Sequence, residues 1–320
     1  MRFTYYFIFG IIFLITSCAQ QAEKKPTPTT ESNIGREKYY AGKLAIGVDT
    51  SIAPIIKQQT EIFTFINDSV QLEETYANEA ILFDKFRKRE VGVVIIPRQL
   101  SASEIARFKE KDTIYVRQIQ LAYDAIALVG NKNGKSPQLS IDWLKQNFSP
   151  SSKSSSIKLV FDRTNESVLK NTLDLLGYTD KVSPNVYAVN SLDEVINYVA
   201  ANKDAIGFIP YSYISDTDEE RVRAILDRIK LLSLSVKDKE GKDRQASANQ
   251  ADIAEGIYPL TQNINALSRF SYSDNLEWLF MNFMFREKGA RIFLKGGFVP
   301  AKIPERAINV NPNPVDTEKN

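Results

Sequence analysis

The segment Val91-Gly92-Val93-Val94-Ile95-Ile96-Pro97 is apolar without a break and rich in β-branched side chains. A strand of this composition is buried on both faces, the environment of a parallel sheet with helices above and below it. On its N-terminal side, residues 77–88 place Ile81, Leu82 and Phe86 on one helical face. Before that, residues 70–75 alternate as a strand. Residues 51–66 read as a helix with Asp49, Thr50 or Ser51 as cap and Pro54 in the first turn. Residues 43–48 read as a further strand. On its C-terminal side, Ser101 and Glu104 form a capping box that opens a helix, and residues 114–129 read as one long strand.

The same rhythm continues. Helices are expected over 141–147 and 166–176, the second stopped at Gly177 in the C′ position. Another runs from the Ser191/Glu194 capping box to about Asn202. Strands are expected over 158–161, 186–189 and 205–209. Residues 224–236 and 264–272 read as strands, and 274–285 and 287–295 as helices. Alternating β and α elements define an α/β architecture with mainly parallel sheets, and two such sets predict two lobes.

The front of the chain carries an address. Arg2 precedes a nearly unbroken apolar run from Phe3 to Ile15, followed by Thr16-Ser17-Cys18. That is a signal peptide whose small residues stop at a cysteine, as in a bacterial lipobox, so Cys18 is the expected lipidation site. The alternative is an uncleaved N-terminal anchor, for which the run is short. Residues 19–32 (AQQAEKKPTPTTES) are polar and Pro/Thr-rich, the composition of a disordered tether. Ala19, where enterobacterial sorting would use Asp for inner-membrane retention, points to the periplasm-facing outer membrane.

Composition narrows the function. Hydrophobic residues at 43% and charged residues at 25% are ordinary for a globular chain with real cores. A net charge of +2 gives no electrostatic footprint for nucleic acid. The 320 residues contain no histidine and one cysteine. Catalytic sets built on Ser-His-Asp or Cys-His are excluded, and the usual zinc ligands are missing. No enzyme activity, cofactor or metal is expected.

Five segments, in order, resemble the phosphate-binding proteins of ABC uptake systems. They are Gly47 to Pro54 (GVDTSIAP), Val94 to Glu104 (VIIPRQLSASE), Leu121 to Asn131 (LAYDAIALVGN), Asp162 to Ser167 (DRTNES) and Glu255 to Leu260 (EGIYPL). A helical C-terminus with Gly289 and Gly296-Gly297-Phe298-Val299-Pro300 completes the likeness, which covers about Gly42 to Pro304. The resemblance implies a two-lobed periplasmic binding protein of type II with hinge crossings near Ala122–Asp124 and Tyr258–Leu260. It implies lobe one over 36–123 plus 260–306 and lobe two over 124–259, which complete a chain whose own residues predict a signal peptide over 1–17, a lipidated tether over 18–35 and a polar tail over 307–320. It further implies a monomer that captures phosphate or a similar oxyanion between the lobes for an ABC permease. The alternative is a non-transport member of the fold that binds another ligand or a cell-envelope or protein partner.

By position in those motifs, the expected ligand-binding residues are Asp49, Thr50, Ser51, Asn78, Arg163, Thr164, Asn165 and Ser167. Helix N-termini present unpaired N–H groups, and an arginine adds a charge-assisted bond. For the hydroxyl residues the plain alternative is a satisfied helix cap, and for Arg163 a surface ion pair. Two departures stand out. Asn165-Glu166 occupies the family's Ser-Gly position, placing a carboxylate where an anion should come. The strand Val94–Arg98 lacks the family's acid that accepts the phosphate proton, and Arg98 would be either added positive potential or surface charge. Ser155-x-x-Lys158, Ser273-Asp274-Asn275 and Lys295-Gly296-Gly297 superficially resemble serine β-lactamase motifs. Their element contexts and spacing do not fit that fold.

Overall fold

The computed structural model describes residues 40–303 apart from 136, 152–155, 165, 179–181, 239 and 272–274. The expected signal peptide, Cys18, the tether, the polar tail and Asn165 lie outside the described residues. In chain order the first elements are β1 (Gly42–Asp49), α1 (Ala53–Ile66), β2 (Val70–Ala77), α2 (Glu79–Arg87), β3 (Val93–Ile96), α3 (Ala102–Asp112), β4 (Val116–Asn131), β5 (Leu139–Ser140), α4 (Ile141–Phe148), β6 (Lys158–Asp162) and α5 (Glu166–Leu176). There follow β7 (Val186–Val189), α6 (Leu192–Ala201), β8 (Ala205–Pro210), α7 (Glu220–Leu226), β9 (Ile229–Leu231), β10 (Leu234–Lys237), β11 (Asp243–Ala246), α8 (Gln250–Ala254), β12 (Thr261–Arg269), α9 (Leu276–Phe285), α10 (Glu287–Lys295) and β13 (Val299–Pro300).

β3 is the strand its composition predicts. Val93 and Ile95 pack into one core with Ile46, Val48, Phe63 and Phe280, while Val94 and Ile96 pack on the other face with Leu82, Phe86 and Phe108. It runs parallel to β1, which runs parallel to β2. β6 is the counterpart in the second half, parallel to both β7 and β8.

Two strands that run antiparallel to their neighbours join these sets, so the sheet is mixed: its order is β2-β1-β3-β12-β4-β8-β6-β7. The N-terminal part of β4 pairs with β12, and Ile126 to Gly130 pair with β8. Leu121 and Ala122 are buried with the first half's core, whereas Ala125 to Val129 are buried with the second's. β4 is therefore one crossing between halves. The return passes from Tyr258 and Leu260 in the second core to Ile264 in the first. The Ile126 N–H donates to the Leu260 carbonyl at 2.8 Å, and the Tyr258 hydroxyl donates to the Ile126 carbonyl at 2.8 Å, tying the two crossings together. This is a two-lobed α/β arrangement with two crossings.

Local signals match their structures where the chemistry is local. The Ser101/Glu104 capping box forms in both directions. Gly177 takes a φ of +80°, the left-handed stop expected of it. At α6, Ser191 Oγ accepts from Glu194 N, but the Glu194 carboxylate accepts from Asn190 N rather than Ser191 N. The strand expected over 224–236 is corrected: its first residues end α7, where Val222 and Ile225, three apart and both buried, share a helical face. The strands begin only at Ile229.

Candidate functional site

β1 and β6 occupy equivalent places in the two halves, and each ends in an aspartate. Beyond β1, the Asp49 Oδ1 accepts from the Ser51 N–H at 3.0 Å and the Ser51 hydroxyl at 2.6 Å. Beyond β6, the Asp162 Oδ1 accepts from the Thr164 N–H at 2.8 Å and the Thr164 hydroxyl at 2.7 Å. Both are turns in which a short carboxylate holds the backbone and hydroxyl two residues on. The first leads through a short 3-10 turn into α1, whose first turn contains Pro54. The second leads towards α5, opened by Glu166.

The two turns meet. The Thr50 hydroxyl donates to the Thr164 carbonyl at 3.2 Å. The Ser167 hydroxyl donates to Asp49 Oδ1 at 2.8 Å and lies 3.3 Å from Ser51 Oγ. The expected residues Asp49, Thr50, Ser51, Thr164 and Ser167 are thus brought together from opposite halves of the sheet. On one side of this junction lies a cavity of about 330 Å³ lined by Asp49, Thr50, Asn78, Glu79, Glu166 and Ser167, with Phe83 and Phe108 in its walls. On the other side a cavity of about 590 Å³ is lined by Thr50, Ser51 and Pro54 of the first half and Ser212, Tyr213 and Arg221 of the second.

The remaining expected residues are placed differently. Asn78 lines the smaller cavity as the cap of α2, its side-chain oxygen accepting from Ile81 N at 3.2 Å. Arg163 is exposed and lines neither cavity. Glu166, the carboxylate in the family's glycine position, is exposed and lines the smaller cavity.

Asp49 itself is 2% exposed. Burial is the largest influence on its carboxyl and raises its pKa, with Glu79 acting in the same direction; the hydrogen bonds from Ser51 and Ser167 pull it back, but the net shift is upward. Arg98 supplies no free positive charge to the cavity. Its guanidinium bonds Glu79 at 2.6 Å and Glu104 at 2.6 Å, and its side chain is 14% exposed. Sequence reasoning also passed over the clamp made by Asn171, which donates to the Pro97 carbonyl at 3.0 Å and to Gln262 Oε1 at 2.7 Å across the halves. An asparagine in the middle of an amphipathic helix gives no local sign of such a distant partner. Of the β-lactamase-like motifs, Ser155, Ser273 and Asp274 lie outside the described residues, and Lys295 ends α10. Among the described residues, no group of three or more acidic, histidine or cysteine side chains is placed to hold a metal, and no helix is long and apolar enough to cross a membrane.

Two halves joined by two crossings, with a cleft between strand-to-helix turns, define the fold of solute-binding proteins. The family description "PBP superfamily domain" matches residues 24–288, and the chain belongs to that family. Among solved structures it is similar to an ABC-type phosphate transport receptor from Vibrio cholerae, at 18% identity and a TM-score of 0.64, over 81% of this chain and 100% of that one. It is also similar to a candidate phosphate ABC transporter substrate-binding protein from Clostridium perfringens, solved with bound phosphate, at 17% identity and a TM-score of 0.63, over 82% and 100%. A mutant of OxyR from Corynebacterium glutamicum shares the fold at 13% identity and a TM-score of 0.52, over 82% and 67%. At these identities the likeness is one of fold. No curated protein sequence matches the chain.

Proposed function

We propose that the chain is an extracytoplasmic solute-binding lipoprotein that captures phosphate or a similar oxyanion between two lobes for an ABC permease. The observation that carries this reading is the meeting of two strand-to-helix turns from opposite halves, with Thr50 and Ser167 on the wall of the smaller cavity and Thr50 and Ser51 on the wall of the larger. Donors at helix N-termini are suited to anions. The structural relatives that carry phosphate-receptor names support it, one of them with phosphate bound. In this reading the lobes span 36–123 plus 260–306 and 124–259. The lipid on Cys18 holds the protein to the periplasmic face of the outer membrane, and the monomer works without a cofactor.

Titration calorimetry of the full chain in detergent with inorganic phosphate tests the reading. One binding event per chain is expected. Glu166→Gly should bind more tightly, because it removes a carboxylate from the cavity wall. No heat from native protein or variant would remove phosphate as the ligand. A second reading then leads: a non-transport member of the fold, binding another ligand or an envelope partner. The carboxylates of Asp49 and Glu166 on the smaller cavity's wall favour it, since they oppose a simple anion, while Arg87, Arg107 and Lys170 on the same wall act the other way.

A further inference from the structure

The Asp49 carboxylate lies among the donors that an oxyanion in this cleft would use. Its Oδ1 accepts from the Ser51 N–H, the Ser51 hydroxyl and, from the other half, the Ser167 hydroxyl. Three short donors converging on one oxygen are what a bound oxyanion receives at paired helix N-termini. The residue is 2% exposed, and among the described residues no lysine or arginine pairs with it. The nearby Glu79 differs, since Arg98 neutralises it.

We propose that Asp49 is the specificity-determining residue of the cleft, a resident carboxylate that holds the place of one oxyanion oxygen between the two turns. An incoming anion competes with it for the Ser51 and Ser167 donors. Entry requires the carboxylate to leave those donors or to tolerate a second negative charge beside it. Both conditions weaken the binding of a small, highly charged inorganic anion. The arrangement also explains how the turns are joined by Ser167 through a side chain of the chain's own. The inference rests on reading the cleft as an oxyanion site.

Two variants remove the charge. Asp49→Asn keeps the shape and an oxygen that accepts from the Ser51 N–H, and Asp49→Ser removes the carboxylate altogether. The full chain in detergent is titrated with inorganic phosphate, and cooperative melting reports folding. Both variants are expected to bind phosphate about tenfold or more tightly than the native chain, Asp49→Asn by removing the negative charge and Asp49→Ser by also freeing the donors that the carboxylate holds. If native protein binds phosphate and the folded variants bind no more tightly, the inference fails while the oxyanion reading stands. If only the variants bind, the inference holds and phosphate is not the native ligand. If none binds, both fall. Ser167→Ala gives a second readout that leaves Asp49 in place. A several-fold loss of phosphate affinity is expected from a shared donor, and unchanged affinity overturns the sharing.

Discussion

Asp124 carries a carboxylate into the crossing of β4 with no exposure at all. It accepts from the Ala125 N–H at 2.8 Å, the Ser212 N–H at 3.3 Å and the Ser212 hydroxyl at 3.0 Å. Burial outweighs these bonds and pushes its pKa up to about 6. The folded protein therefore holds a proton between about pH 4 and pH 6 that the unfolded chain has released. Stability from this group is present at low pH and is lost as pH rises through 6, by up to about 3 kcal/mol. Asp124→Asn keeps an oxygen acceptor for Ala125 and Ser212 and removes the titration. Its urea midpoint should fall less than the native one between pH 4.5 and pH 7, and an unchanged slope would contradict the assignment. The raised pKa of Asp49 acts in the same direction, so some slope should remain. Both aspartates stand in the sequence at or beside expected features, yet their roles were only half legible. Asp49 was readable as a cap because capping is local, and Asp-x-Ser/Thr at two strand ends is a turn signature. That the first turn's carboxylate would reach Ser167 depends on a contact 118 positions away.

Between elements, Arg98 is the tie that fastens the start of α2 to the start of α3 through Glu79 and Glu104. Burial would raise the Glu104 carboxyl, but hydrogen bonds from Arg98 and Ser101 outweigh it and hold the pKa at about 2. This stabilisation is complete above the ordinary glutamate range and is lost as pH falls towards 2. Arg98→Met should cost about 1–3 kcal/mol at pH 7, because two partly buried carboxylates lose their partner. The cost should shrink near pH 2, where Glu104 is neutral in the variant. Urea melts of native and variant protein at both values check this, and equal costs would show that packing alone is involved. Elements with strong periodicity or caps were legible: β3 from its unbroken β-branched run, α3 from its capping box, α5 from its stop at Gly177. The short pieces β5, β11 and α8 were not, because two to five residues carry no period. Residues 224–226 misled because an apolar run at the end of a short helix resembles the start of a strand.

At the scale of the whole molecule, the halves are held by contacts on both sides of the crossings. Besides the junction at Asp49 and Ser167 and the Asn171 clamp, the Ser215 hydroxyl donates to the Gly296 carbonyl at 3.0 Å. Gly297 beside it has a φ of +87°, and a Cβ there would lie 2.2 Å from Ser215, so this approach of the halves needs glycine. The order of five modest motifs made the architecture legible, since each sits at a strand end that the topology fixes. The ligand was less legible, because affinity for an anion depends on the balance of nearby carboxylates and donors in three dimensions. The central claim is that an exported, lipid-bearing chain holds an oxyanion between its halves. Native mass spectrometry of the full chain in detergent, with inorganic phosphate added, tests it most directly. Expected is a polypeptide beginning at Cys18 with acyl mass attached and one phosphate retained per chain. A chain that begins at Met1 without acyl mass, or one that retains no phosphate, would contradict it.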